Sequence, residues 1–301
     1  MSSSKPSQRI VFITGCTDGG IGAALALTLA KKGCIVYASS RSVSSMTGLT
    51  HDNIRKLAVD VTLDASIKSA VEEIYEKEGK LDVAIANAGI GLTKPLLDIT
   101  IEQAKNLYET NVFGLMRTVH AVIPRMTQQQ VTNPSANSKK STSTWKPLFV
   151  VIGSIRAEMS SPWSGLYGSS KAAVRSYTET LQMECRPLGI NVMLVNPGAI
   201  TSNINQGTQA TDYNLPENSL YKNYIPAIMH TMYISQSKRY GSMDSFEFAE
   251  KVSQKILSKN PPQLVRLGGS IGIMVLLQWL PRTWALGLIW RAMSGMKFTK
   301  T

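Results

Sequence analysis

The sequence predicts an α/β fold, a single doubly wound parallel-sheet domain. Three observations carry that prediction. Short uninterrupted apolar runs, such as IVFIT at 10–14 and LFVVI at 148–152, read as strands buried on both faces. They alternate with longer segments whose apolar residues recur at helical spacing. The first strand also runs directly into a glycine-rich turn that opens a helix.

Taken in order, the first strand is 10–14 and the first helix 21–32, stopped by Gly33. The second strand covers 35–39 and the third 54–59. Helix 65–78 and strand 83–86 follow, and then one long helix over 101–126. The fifth strand, a helix and the sixth strand occupy 148–152, 166–184 and 191–195. A polar Ser/Thr-rich segment at 128–146 breaks this alternation. Connections in such folds run to about 2–6 residues, so it reads as a mobile surface insertion without catalytic content. The domain is placed at 8–260, with an apolar C-terminal segment at 264–301. MSSSKPSQRI has no apolar run before the first strand and reads as a short disordered leader rather than a secretory signal.

With 301 residues, 43% hydrophobic and 17% charged, the chain suffices for one large domain with a buried core. Cys16, Cys34 and Cys185 are odd in number and form no CxxC pair. A reducing intracellular compartment is therefore expected, and no disulfide framework. His51, His120 and His230 make no metal-ligand spacing with them, so no metal is expected. The net charge of +12 suits an anionic membrane surface or an acidic substrate, and equally a merely basic soluble protein. Nucleic acid is disfavoured, because no basic run is interleaved with aromatics.

The turn TGCTDGGIG at 14–22 joins the first strand to the first helix. Gly15, Gly20 and Gly22 permit a tight turn and close approach of a pyrophosphate to the helix N-terminus, which Ile21 opens. Asp18 belongs to this cofactor loop, its carboxylate expected to face away from phosphate. The second strand ends YASSRS, with no acid to hold an adenosine 2′-hydroxyl. Arg41 among serines suits a 2′-phosphate, which predicts NADP(H).

Tyr167 and Lys171 stand four apart on the helix that begins at 166, and so share a face. A phenol with a free pKa of about 10 is a poor acid–base group, and a neighbouring ammonium lowers that value. Such a tyrosine can protonate an alkoxide formed by hydride transfer, or deprotonate an alcohol in reverse. Ser154, thirteen residues earlier and just past the fifth strand, can hold a substrate carbonyl oxygen.

With these residues the chain resembles the short-chain dehydrogenase/reductase family over 8–260. The resemblance runs through TGCTDGGIG, Asp60-Val61, Asn87-Ala88-Gly89, Asn111, Ser154, YGSSK, and Asn196-Pro197-Gly198 followed by Ile200-Thr201. It implies that Asp60 contacts the adenine, Asn87 lines the cofactor cleft, and Ile200 and Thr201 hold the nicotinamide amide. It further implies that Tyr167 and Lys171 bind the nicotinamide ribose, and that Asn111 anchors a water in a proton relay. The glycine turn departs from the family pattern, with four residues between Gly15 and Gly20 where three are usual. The gap from Asn111 to Ser154 is also stretched by the polar insertion. Within the family the chain is similar to fungal NADPH-dependent 1-acyldihydroxyacetone-phosphate reductases and secondary-metabolism members, through the TGCTDGGIG loop, VYASSR, KLDVAIANAG, NVFG and the apolar tail.

Residues 203–241, rich in Tyr, Met and Asn, are expected to close over a lipid-like ketone or to pack as ordinary core. The run LGGSIGIMVLLQWL at 267–280 is shorter than the ~20 apolar residues a membrane span needs. With Trp279, Trp284, Trp290 and arginines beside it, it suits an interfacial anchor on the endoplasmic reticulum or a lipid droplet. The other reading is a pair of soluble helices packed on the domain or on a second copy. Two functions follow: an NADP(H)-dependent reductase of a small-molecule ketone or alcohol, or a non-catalytic membrane-associated module that only binds a dinucleotide. Completeness of the Tyr, Lys, Ser and Asn set favours the first.

Overall fold

The computed structural model describes residues 8–132, 145–202, 215–238 and 241–294. The leader at 1–7, the insertion at 133–144, residues 203–214 and 239–240 of the substrate segment, and the tail at 295–301 lie outside the described residues.

In chain order the strands are β1 (Ile10–Thr14), β2 (Ile35–Ser40), β3 (Ile54–Ala58), β4 (Val83–Ala86), β5 (Leu148–Ile152) and β6 (Asn191–Pro197), followed by β7 (Ile200–Thr201), β8 (Met243–Asp244) and β9 (Leu264–Leu267). Seven of them form one sheet ordered β3-β2-β1-β4-β5-β6-β9, and every pairing in it is parallel. The order reverses between β1 and β4, which opens a crevice beyond Thr14 and Ala86. Strands β7 and β8 form a separate short parallel pair.

The apolar runs are strands because both of their faces are covered. Val11 and Ile13 face one core cluster, with α1 (Ile21–Lys31) and α7 (Ser245–Ile256) over it. Ile10 and Phe12 face the other, under α2 (Asp64–Glu78), α4 (Gly114–Thr132) and α5 (Gly165–Glu184). The same two-residue alternation holds in β5, with Val150 on the first face and Phe149 and Val151 on the second. Each such buried side chain contributes about 1.5–3 kcal/mol.

The helix expected over 101–126 is not uniform. It runs as α3 (Ile101–Tyr108), a π turn at Glu109–Phe113, and then α4, which continues into the expected insertion as far as Thr132. The π turn has a tertiary cause, because the Asn111 side chain is drawn onto the backbone of Ile90. Strand β9 was not expected at all. It extends the sheet from inside the segment assigned to the C-terminal tail.

Beyond β9 the apolar segment folds as α8 (Ile271–Leu277) and α9 (Arg282–Ser294). One face of α9 packs Ala285, Ile289 and Met293 against Met159, which lies between β5 and α5. Its Trp290 joins Trp163, Tyr221 and Tyr224 in an aromatic cluster, and Tyr224 precedes α6 (Ile225–Tyr233). The tail is thus packed on the side of the domain that carries Met159, Trp163 and α6, while Ile273, Leu276, Trp279 and Trp284 remain exposed.

Candidate active site

The glycine turn leaves the end of β1 with Gly15 at φ +76°, a left-handed conformation that favours glycine. A Cβ on Gly15 would lie 2.7 Å from the Ala88 backbone, and one on Gly22 would lie 2.6 Å from Asn87 Nδ2. Asn87 Nδ2 donates to the Thr14 and Gly15 carbonyls at 2.9 and 2.8 Å, so it braces the turn from the end of β4. Gly20 is the N-cap of α1, Ile21 and Gly22 form its first turn, and no side chain caps it. A bare helix N-terminus approached by glycines fits a pyrophosphate.

The additional residue of the turn has a visible use. Asp18 accepts from Thr47 Oγ1 at 2.7 Å and from the Gly48 N–H at 3.1 Å, which carries its carboxylate to the segment after β2. Burial alone would raise its pKa, but those hydrogen bonds and Lys56 outweigh it and lower it. At the end of β2, Ser40 and Ser45 hydroxyls share a 2.7 Å hydrogen bond, as do Ser42 and Ser44. Arg41 projects from this serine knot, exposed. Asp60, past β3, uses one carboxylate oxygen on the Thr62 N–H and hydroxyl, at 2.9 and 2.7 Å. Ile200 is buried and Thr201 exposed, its hydroxyl 2.9 Å from that of Ser242.

Asn111, Ser154, Tyr167 and Lys171 come together at the ends of β4 and β5. Ser154 is buried and caps a 3-10 turn, its hydroxyl accepting from the Arg156 N–H at 3.1 Å. The same hydroxyl is hydrogen-bonded to Tyr167. Burial raises the Tyr167 pKa above its ordinary value, with the Ser154 bond and the Arg156 charge acting against it. The direction is opposite to that expected from Lys171. The reason is geometric: Lys171 Nζ lies 6.0 Å from the Tyr167 ring centroid and donates instead to the Ile152 carbonyl.

Asn111 is buried, and its amide is fully engaged. Oδ1 accepts from the Ile90 N–H at 2.8 Å, and Nδ2 donates to the Ile90 carbonyl and to Ser170 Oγ at 3.0 and 3.1 Å. Ser170 Oγ in turn donates to the Tyr167 carbonyl at 2.8 Å, so the π turn and α5 are locked in register. Gly89 lies between the two polar groups, where a Cβ would meet Asn111 Oδ1 at 3.2 Å and Lys171 Nζ at 3.6 Å. A small cavity lined by Thr14, Ala88, Asn111, Ile152 and Lys171 opens at this point.

Two residues of this region escape a reading by motif. Glu158 has a fully buried side chain that accepts from Asn196 Nδ2 at 2.7 Å, Arg266 Nε at 2.9 Å and Gln278 Nε2 at 2.9 Å. Burial would raise its pKa, but these hydrogen bonds outweigh it and the net direction is down. Arg156 is the other. A cation two residues after the candidate serine was its only signal in the sequence.

An open parallel sheet with glycines at its reversal and a tyrosine hydroxyl at the adjoining strand ends is a Rossmann-like architecture. Residues 9–212 match the family model described as short chain dehydrogenase, and the chain belongs to that family. Its members act on small molecules with a nicotinamide dinucleotide. A short-chain dehydrogenase of Penicillium crustosum is 32% identical over 84% of this chain and 86% of its own. The NADPH-dependent 1-acyldihydroxyacetone phosphate reductase of Schizosaccharomyces pombe is 31% identical over 74% of this chain and 71% of its own. The crystal structure of a short-chain dehydrogenase from Streptomyces avermitilis superposes with a TM-score of 0.75, at 23% identity, over 98% of this chain and 100% of that one.

Proposed function

We propose that the protein is an NADP(H)-dependent reductase of a ketone on a lipid-like or secondary-metabolite substrate. The observation that carries this reading is the hydrogen bond between the Tyr167 phenol and Ser154, with Lys171 one turn further along α5 and Asn111 tied to that helix through Ser170. The hydride for the carbonyl carbon comes from the bound dinucleotide. Ser154 holds the carbonyl oxygen, and Tyr167 gives that oxygen its phenolic proton as the carbon–oxygen double bond becomes a hydroxyl-bearing single bond. Burial keeps the phenol protonated, the state that reduction needs. Lys171 would hold the nicotinamide ribose hydroxyls, and its ammonium, with a pKa lowered to about 8, is a stronger acid than the Tyr167 phenol and can return a proton to it. The Asn111 side chain is spent on Ile90 and Ser170, so holding a relay water would fall to the backbone of its π turn.

Two features beside the end of β2 support the cofactor reading. Arg41 is exposed among serine hydroxyls, and the nearby Asp18 carboxylate is occupied by Thr47 and Gly48. The name of the fission-yeast relative agrees with NADPH. Convergence of the four polar residues disfavours a module that only binds a dinucleotide.

Attachment to an anionic membrane surface belongs to the same proposal. Among the described residues no helix is long and apolar enough to cross a membrane. Trp279 and Trp284 are 86% and 69% exposed beside Ile273 and Leu276, which suits lying at an interface.

The deciding experiment is Tyr167→Phe, followed by NADPH consumption over a panel of lipid and polyketide ketones. The variant is expected to keep NADPH binding by fluorescence to within about tenfold, the loss of one ribose hydrogen bond, while turnover falls roughly 100-fold or more. Turnover at the wild-type rate would refute the reading.

A further inference from the structure

Arg156 lies in the 3-10 turn Ile155–Ala157, and its backbone N–H is fixed on the Ser154 hydroxyl. Its guanidinium is therefore built into the same short unit as the group that would hold the reacting oxygen. Nη1 is sealed from solvent and has no hydrogen-bond partner among the described residues. The turn packs on the start of α5, where a Cβ on Gly168 would lie 3.4 Å from the Arg156 carbonyl, and the Arg156 charge and the Tyr167 phenol act on each other.

The carboxylate nearest in sequence, Glu158, is not its counter-ion. Glu158 is directed the other way, onto Arg266, Gln278 and Asn196. Arg156 is part-buried, with Nη1 sealed and no carboxylate paired to it among the described residues. A guanidinium held so is costly to leave unpaired, and such side chains mark a place where a ligand completes the pairing. The same stretch between β5 and α5 holds two more sealed, unpartnered polar groups, the Ser161 hydroxyl and the Trp163 indole N–H. Trp163 is also kept at φ +64°, a strained conformation for a bulky residue. All three groups can donate hydrogen bonds, and the segment offers them no acceptor.

We propose that Arg156 forms an anion subsite beside Ser154 and Tyr167, and that the ketone substrate carries a carboxylate or phosphate close to its reacting carbonyl. This rests on the reading of Ser154 and Tyr167 as the reacting site. The planar fork of arginine matches two oxygens of either group, which a point charge does not. The net charge of +12 favours the approach of such a substrate. The anionic group takes no part in bond making. It fixes the carbonyl against Tyr167.

Matched ketones test this with the full-length protein and NADPH at fixed ionic strength. Acetoacetate against ethyl acetoacetate reads the carboxylate, and dihydroxyacetone phosphate against dihydroxyacetone reads the phosphate. Wild type is expected to favour at least one acidic member over its neutral partner in kcat/KM. Arg156→Gln should lower that acidic-to-neutral ratio roughly 10- to 100-fold, mostly through KM, and Arg156→Lys should recover part of it. A ratio unchanged by Arg156→Gln, or a wild-type preference for the neutral members, would overturn the proposal. If none of the four is reduced, calorimetric titration of acetoacetate and inorganic phosphate into the NADPH-saturated protein decides. Binding that Arg156→Gln abolishes supports the subsite even where the reductase reading fails. Binding that is absent, or equal in both proteins, refutes it.

Discussion

Lys171 Nζ donates to the Ile152 carbonyl at 3.1 Å, which ties the middle of α5 to the last residue of β5. That single bond holds an otherwise buried ammonium, and burial lowers its pKa from 10.5 to about 8. The charged form therefore prevails below about pH 8 and is lost above it. If the ammonium supports proton delivery to Tyr167, kcat/KM for ketone reduction is level below that pH and declines above it, approaching tenfold per pH unit. Lys171→Met should abolish the break and lower kcat/KM roughly 100-fold. A wild-type profile that stays level to pH 10 would exclude this role for Lys171.

Cofactor choice turns on Arg41, which stands exposed at the end of β2 with the serine hydroxyls around it. Charge-assisted hydrogen bonds to a phosphate are worth about 1.5–3 kcal/mol, and an introduced carboxylate adds repulsion. Arg41→Asp is expected to weaken NADPH binding roughly 10- to 100-fold and to leave NADH within a few-fold. Titration of each reduced cofactor by fluorescence separates the two. Equal losses would assign Arg41 a merely structural part.

The sheet was legible wherever burial on both faces leaves an unbroken apolar run, as in IVFIT and LFVVI. Strand β9 was not, because its four residues LVRL include Arg266. A charge in so short a run argues against a buried strand, and what permits it is Glu158, 108 positions away. The π turn was hidden for the same kind of reason. Periodicity reports a continuous helix, whereas the pull of Ile90 on Asn111 is a tertiary contact. At the site, spacing brought Tyr167 and Lys171 onto one helix, since they are one turn apart. It could not show that the ammonium faces Ile152, nor that Asp18 reaches across to Thr47.

Glu158 should be a strong determinant of stability, because it joins Asn196 on β6, Arg266 on β9 and Gln278 after α8 around one buried carboxylate. Removing one partner of a buried pair costs about 3–5 kcal/mol, and the 30% exposure of Arg266 argues for the lower end. Glu158→Ala is therefore expected to lose about 3 kcal/mol in denaturant unfolding. The pH dependence has a definite sign. The folded pKa is depressed below the ordinary 4.5, so the unfolded chain takes up the proton first on acidification. The contribution of Glu158 is complete above pH 4.5 and is lost as pH falls through the folded value. Wild type and Glu158→Ala should consequently converge in Tm at low pH, and a gap that persists there would refute the ionic account.

The tail gives the last prediction. Its inward face is committed, since Ala285, Ile289 and Met293 pack on Met159, and Arg282 Nη1 donates to the Met159 sulfur at 3.1 Å. Its outward face presents Trp279 and Trp284 at 86% and 69% exposure, with Leu276 at 70%. Indole rings with nearby arginines favour the headgroup region of a bilayer, and each buried aromatic adds about 1.5–3 kcal/mol. Vesicles rich in phosphatidylserine should therefore carry the wild-type protein upward in a flotation gradient. Trp279→Ser with Trp284→Ser should lower the partition coefficient at least tenfold. Because both side chains face outward, circular dichroism and Tm should change little. Raised salt should weaken binding by screening the basic charge, while the indole contribution remains. A wild-type protein that stays at the bottom of the gradient with anionic vesicles would rule out the interfacial role.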